Sequence, residues 1–166
     1  MEVSSHAIDQ YRTWGTYFRA VIFTNLSQDH LDYHKTIEDY YLAKAKLFLE
    51  YQCDLRVIHK DVEYGPRLIS ECLKAGHDVV TYGLANCNVN YGGLRALGTG
   101  IEGDLSIDYK GKKEIISIRS ELIGNFNIQN IAAAAAVTYY LGIDPKIISG
   151  SLKSPFVPGR MEIINN

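Results

Sequence analysis

The sequence predicts an α/β protein, a mostly parallel sheet flanked by helices with a small antiparallel sheet appended to it. Three observations carry this. Short apolar runs alternate with stretches of helical period as far as Tyr82, the pattern changes from Tyr91 to short, partly alternating runs separated by glycine-containing turns, and an alanine-rich helix follows. Strand-helix-strand alternation is the signature of crossovers between parallel strands, whereas glycine-punctuated alternation belongs to hairpins.

The elements are justified in turn. Met1-Glu2-Val3-Ser4-Ser5-His6 reads as the end of a strand running into a helix from Ala7 to about Trp14, with Ser4 or Ser5 as its N-cap. After Gly15 comes a strand, Arg19 to Thr24, whose apolar run Ala20-Val21-Ile22-Phe23 predicts burial. Thr36, with Asp39 as a partial capping box, opens a helix to Tyr51 on which Ile37, Tyr40, Tyr41, Leu47, Phe48 and Tyr51 recur as one buried stripe. Lys44 falls within that stripe; Lys46 falls off it. A strand from Leu55 to His59, a helix from about Val62 to Ala75 and a strand from Asp78 to Tyr82 complete the alternating part.

Leu94 to Leu97, Gly103 to Tyr109 and Glu114 to Arg119 are the antiparallel runs, with Tyr109-Lys110-Gly111-Lys112 as a hairpin connection. Gly124 leads into the alanine helix, whose small side chains permit close packing on a sheet and which ends at Gly142. A last helix, Pro145 to Leu152, precedes Pro155, Pro158 and Gly159, a breaker-rich stretch of the kind found at domain boundaries.

Composition narrows the function classes. At 166 residues, 46% hydrophobic and 22% charged, the chain has the make-up of one ordinary soluble domain. It carries no signal-peptide pattern, and its longest apolar-looking run, Ile131 to Leu141, is mostly alanine and too short to cross a membrane. A net charge of −2 without basic clusters argues against nucleic acid or an anionic membrane as partner. Cys53, Cys72 and Cys87 show no C-x-x-C spacing, which argues against a disulfide framework or thiolate metal site and makes the cytoplasm the expected compartment.

Chemistry concentrates after the first strand. The stretch Phe23 to His34 packs Asn25, Asp29, His30, Asp32 and His34 together, and in open α/β sheets ligands collect at the carboxyl ends of strands. From the residues alone the candidate site is Glu2, Asp29, His30, Asp32, His34 and Lys44. Oxygen and imidazole donors without thiolates suit magnesium or manganese, or zinc if the histidines dominate. His30 and His34 have H-x-x-x-H spacing but precede the helix cap, so they do not form a helical zinc pair. Lys44 has two readings: its stem lies along the core with the ammonium in water, or it points at the polar cluster, where desolvation frees the amine for chemistry.

Asn127 and Asn130 project from one side of the first turn of their helix. No G-x-x-x-x-G-K phosphate cradle followed by Ser or Thr occurs in these residues. Gly98-Thr99-Gly100-Ile101-Glu102-Gly103 lacks the lysine and sits in the antiparallel region.

Several blocks together resemble a known family. Met1 to His6, Phe23 to His34, Tyr41-Leu42-Ala43-Lys44, Gly124 to Asn130 and Gly159-Arg160-Met161-Glu162 fall in the order and at about the spacing seen in the Mur ligases, most closely the branch that adds the third residue of the peptidoglycan stem peptide. The resemblance covers nearly the whole chain but only the later part of that family's central, ATP-binding domain. It implies residues 1–158 as a partial central domain without the phosphate-binding loop, and 159–166 as the start of a linker to a C-terminal domain.

The resemblance further implies ATP and Mg2+ as cofactors, and UDP-MurNAc-L-Ala-D-Glu and a diamino acid, usually meso-diaminopimelate or L-lysine, as substrates. Glu2 and His30 match magnesium ligands. Lys44 matches the lysine that becomes N-carboxylated and helps hold the metal. Ser4 and Arg12 match contacts to the UDP-sugar-peptide, Asn127 and Asn130 match nucleotide-binding asparagines, and Arg160 lies at the hinge to the following domain, near the nucleotide.

One departure stands out: His59-Lys60-Asp61-Val62 occupies the place of an Asn-x-Asp-Asp motif, which puts a nucleotide contact there in doubt. Without the phosphate loop and the flanking uridine- and amino-acid-binding domains, the segment alone is expected to bind no ATP and to be inactive. The rival readings are folylpolyglutamate or cyanophycin synthetase, a metal-dependent hydrolase built on His30, His34 and Asp32, and a non-catalytic binding module.

Overall fold

The computed structural model describes residues 1–26 and 33–155. The chain divides into two compact units, Met1–Thr81 and Tyr82–Asn166.

In the first unit the order is α1 (Ser5–Asp9), β1 (Phe18–Phe23), α2 (Ile37–Leu49), β2 (Cys53–His59) and α3 (Gly65–Lys74). β1 and β2 pair in parallel, from Phe18 opposite Cys53 to Phe23 opposite Ile58, with α2 as the crossover between them. Thr36 caps α2 as expected: its Oγ1 accepts from the Asp39 N–H at 3.0 Å and donates to the Asp39 carboxylate at 2.7 Å. The stripe on α2 is buried, and Tyr40, Tyr41, Leu47 and Phe48 join Val21, Phe23, Ile58, Leu68 and Cys72 in one core. Phe23 and Phe48 meet edge to face at 5.9 Å. Burying a side chain of this size contributes about 1.5–3 kcal/mol.

Two expectations change here. The first helix stops at Asp9 instead of reaching Trp14, because the chain breaks into turns with Tyr11 in the left-handed region at φ 55°. The run Ala20 to Phe23 is not buried throughout: Val21 and Phe23 are 3% exposed whereas Ile22 is 40% exposed. Strand alternation sends Ile22 to the opposite face, which lines a cavity.

β3 (Val80–Gly83) precedes the second unit's own elements, β4 (Val89–Leu97), β5 (Gly100–Tyr109), β6 (Lys112–Ser120), α4 (Asn125–Tyr140) and α5 (Pro145–Ser151). β4 is parallel to β3 through Tyr82 opposite Val89 and Gly83 opposite Asn90, and antiparallel to β5, which is antiparallel to β6. The antiparallel strands are therefore joined edgewise to β3 by backbone hydrogen bonds. The two-residue hairpin is present, with Lys110 and Gly111 both at positive φ and the Asp108 carboxylate accepting from the Gly111 N–H at 3.0 Å.

β4 starts five residues earlier than its apolar pattern suggested, because a register shift between Asn90 and Gly93 interrupts the alternation. Ala132, Ala133, Ala135 and Ala136 of α4 are buried, and α4 packs on β4 and β5 through that small-residue face. Gly142, at φ 89°, ends the helix as expected.

Candidate functional site

The first unit holds a cavity of about 420 Å³ at the carboxyl end of β1. Its polar lining is Glu2, Thr24, Asn25 and Lys44; Val3, Ala20, Ile22 and Leu47 are among its apolar walls. Glu2 arrives on the segment entering α1, Thr24 and Asn25 leave β1, and Lys44 comes from the middle of α2. Lys44 is half-buried, with its ammonium 5.5 Å from the centre of the Tyr40 ring. Lys44 thus sits on the apolar stripe of α2 and also lines the cavity.

Beneath this rim lies His59, 1% exposed, whose Nδ1 is 3.1 Å from the Thr24 carbonyl oxygen. Burial pushes its pKa below the usual histidine value, so the ring is held neutral and donates from Nδ1 to that carbonyl. Gly65 makes room for the turn after β2, since a Cβ there would sit 2.0 Å from the His59 carbonyl oxygen.

A second cluster joins the two walls. The buried Ser5 hydroxyl is hydrogen-bonded to His34 Nε2 at 2.8 Å, and the His34 ring stacks on Tyr40 at 5.4 Å. On the outer side Lys46 bridges to Asp9 at 3.2 Å, and Tyr33 donates to the same carboxylate at 2.9 Å. The Tyr33 hydroxyl and Lys46 lower the Asp9 pKa. Thiol chemistry has no foothold in this unit: burial pushes the Cys72 thiol up to about 11 and raises Cys53 as well.

Glu2 and Lys44 line the same cavity, whereas the other described candidates of the first unit engage local partners of their own. Ser4 is the N-cap of α1, its Oγ accepting from the Ala7 N–H at 3.2 Å. Arg12 is exposed and its guanidinium donates to Gln10 Oε1. In the second unit Asn130 donates to Asn127 Oδ1 at 3.1 Å while Asn127 donates to the Ile123 carbonyl at 2.8 Å, so the two amides do share one side of the helix. Asp29, His30, Asp32 and Arg160 lie outside the described residues. Among the described residues no three His, Cys, Asp or Glu side chains converge as a metal site. Among the described residues the cavity's oxygen donors are a carboxylate, an amide and a hydroxyl, and its sulfur is the Met1 thioether and not a thiolate; such hard oxygen donors fit magnesium better than zinc.

Sequence reasoning missed His59 and Ser5 as parts of this arrangement. His59 ends a run, Arg56 to His59, buried on both strand faces, and a polar residue closing such a run is the available signal. Ser5 offered none beyond its place beside a helix cap.

The profile of a known family, described as the Mur ligase middle domain, matches residues 1–138. The chain belongs to this family. Mur ligases are also among its relatives: the chain is 47% identical over 169 aligned residues to the UDP-N-acetylmuramoyl-L-alanyl-D-glutamate--2,6-diaminopimelate ligase of Aquifex aeolicus (strain VF5), covering 99% of this chain and 33% of that protein. The enzyme of the same name from Fusobacterium nucleatum is 36% identical, again over 99% of this chain and 33% of its own length. A solved structure of a ligase of this name superposes with a TM-score of 0.84 at 29% identity, over 99% of this chain and 34% of that one. MurF from Acinetobacter baumannii, at 16% identity and a TM-score of 0.73, shares the Mur ligase fold over 89% of this chain and 32% of its own. This Mur ligase segment thus spans about a third of the length of the curated relatives it matches.

Proposed function

We propose that these residues form one wall of the catalytic site of an ATP-dependent Mur ligase that joins 2,6-diaminopimelate to UDP-MurNAc-L-Ala-D-Glu in the cytoplasm, a step in peptidoglycan synthesis. The observation that carries the reading is the cavity that gathers Glu2, Asn25 and Lys44 at the carboxyl end of β1, in a chain of this family. In the proposed reaction the substrate carboxylate takes the γ-phosphoryl group of ATP, releasing ADP. The amino group of the diamino acid then attacks the acyl carbon, phosphate leaves, and the amine gives up a proton. The central task is to neutralise phosphate oxygens while holding the nucleophile in line.

Glu2, with His30 and Lys44 as the family resemblance assigns them, would hold magnesium, which supplies charge neutralisation at the phosphates. Glu2 reaches the site from the segment before α1 and Lys44 from α2. N-carboxylation of Lys44 would add CO2 to the neutral amine through a new N–C bond, releasing two protons to solvent relative to the ammonium, and the resulting carbamate anion reverses the sign of the charge that α2 offers the cavity. His59 holds the Thr24 carbonyl and so fixes the turn that presents Asn25. Ser4 and Arg12 are assigned to the UDP-linked substrate, and Asn127, Asn130 and Arg160 to the nucleotide. The hydrolase alternative is weakened because His34, one of its three proposed ligands, is buried against Ser5 and Tyr40.

The test is a steady-state assay of ADP release in the full-length ligase. Turnover is expected to require both UDP-MurNAc-L-Ala-D-Glu and diaminopimelate, and Lys44→Ala to lower kcat by about 100-fold or more. A carbon-13 carbamate signal should appear in the wild type after equilibration with labelled bicarbonate and be absent from Lys44→Ala. Turnover independent of the UDP-dipeptide, or a fully active Lys44→Ala enzyme, would refute the proposal.

A further inference from the structure

Glu2 and Lys44 belong to different elements, and their relative placement depends on what joins the segment around α1 to α2. His34 sits two residues before the Thr36 cap, so it travels with α2, and its ring stacks on Tyr40 at 5.4 Å and 28°. One turn further along α2, the Lys44 ammonium lies 5.5 Å from the other partner of that stack, the Tyr40 ring. On its opposite side His34 Nε2 is bonded to the Ser5 hydroxyl, and Ser5 is the first residue of α1, three residues after Glu2. Ser5 is 0% exposed, His34 6% and Tyr40 5%, so no water competes for this contact and the rings have little room to shift.

We infer that His34 is a positioning residue: through Ser5 on one side and Tyr40 on the other it sets the separation between the Glu2 carboxylate and the Lys44 amine across the cavity. The inference rests on the functional reading above, in which both groups serve one metal-phosphate site. A hydrogen bond is directional, whereas apolar contacts tolerate sliding; α1 and α2 are also tied by the Lys46–Asp9 bridge, but that pair is about a third exposed, and His34 Nε2 supplies the buried registration beside the cavity. Tyr33 adds to the hold, meeting His34 edge to face at 4.8 Å while its hydroxyl donates to Asp9 on α1.

Three variants of the full-length ligase test this, with Lys44→Ala as a control. His34→Phe keeps a ring on Tyr40 but removes the bond to Ser5, Ser5→Ala removes it from the other side, and His34→Gln restores a polar atom near Nε2. The first two are expected to lower kcat about 100-fold with KM for diaminopimelate unchanged, and to weaken the Lys44 carbamate signal, whereas Gln stays within about fivefold of wild type, since small misplacements cost about that much. A purely structural role would lower the melting temperature and leave kcat of the folded enzyme unchanged. That result in either His34→Phe or Ser5→Ala, or a Gln variant as impaired as Phe, overturns the inference. If Phe fails to fold, Ser5→Ala decides alone. An inactive Lys44→Ala beside a fully active Ser5→Ala overturns the inference only; an active Lys44→Ala overturns the functional reading as well.

Discussion

Replacing Arg56 by methionine should destabilise the first unit by about 3 kcal/mol, and the reason lies at the end of the helix that carries Lys44. Arg56 is 7% exposed on β2, and its guanidinium donates to the Phe48 carbonyl at 2.7 Å and the Tyr51 carbonyl at 3.3 Å. The Phe48 oxygen is among the last carbonyls of α2, which have no partner within the helix. Bonds from a charged donor are worth about 1.5–3 kcal/mol each, and the helix dipole adds up to about 2 kcal/mol for a partly buried cation at this end. Against this, methionine escapes the cost of burying a guanidinium, which offsets part of the gain.

The balance still favours arginine, because methionine leaves two carbonyls without donors, at about 1–3 kcal/mol each. For a protein of this size about 3 kcal/mol corresponds to a fall of roughly 6–12 °C in melting temperature. The only tryptophan, Trp14, meets Tyr51 edge to face at 5.5 Å, so its fluorescence during urea unfolding reports on this corner of the fold. Arg56→Lys, which keeps the charge with fewer directed donors, should recover about half of the loss. A methionine variant within about 0.5 kcal/mol of wild type would refute the reasoning, since that is the range of neutral surface changes.

Two further outcomes follow from the fold. Because burial lowers the His59 pKa, the unfolded chain binds its proton more readily than the folded one, so this residue makes stability fall as pH drops below the unfolded value of about 6.5, levelling off below the folded value. His59→Asn should flatten that part of the stability-pH curve measured by urea titration, and an unchanged slope would exclude His59 as its source. Gly103→Ala should destabilise the second unit by about 2 kcal/mol or more, because φ is +131° and the new Cβ would lie 2.1 Å from the Gly93 carbonyl oxygen. Amide hydrogen exchange across β4 and β5 checks it, and unchanged protection would contradict the close approach.

The glycine-rich run Gly98 to Gly103 shows how far sequence reasoning reached and where it stopped. The run is set aside as a phosphate cradle because it lacks the lysine and reads as antiparallel strand, and Gly100 and Gly103 do lie within β5. Why glycine stands at position 103 was not legible, because the atom that excludes a side chain is on the neighbouring strand. The same division holds at the site. Lys44 on the α2 stripe and Thr36 at its cap were readable from period and spacing, and the order of blocks pointed to the family.

The sequence by itself determined what neighbouring residues decide among themselves: the α2 stripe and its cap, the two-residue turn at Lys110-Gly111, the alanine face of α4 and the stop at Gly142. These depend on local dihedral preferences and on side-chain period. Only the tertiary structure decided that Ser5 meets His34, that His59 holds the Thr24 carbonyl, that Arg56 closes α2, and that Glu2 and Lys44 share a cavity. Each of those pairs residues on different elements, and strand register and burial, which local propensity does not encode, bring them together.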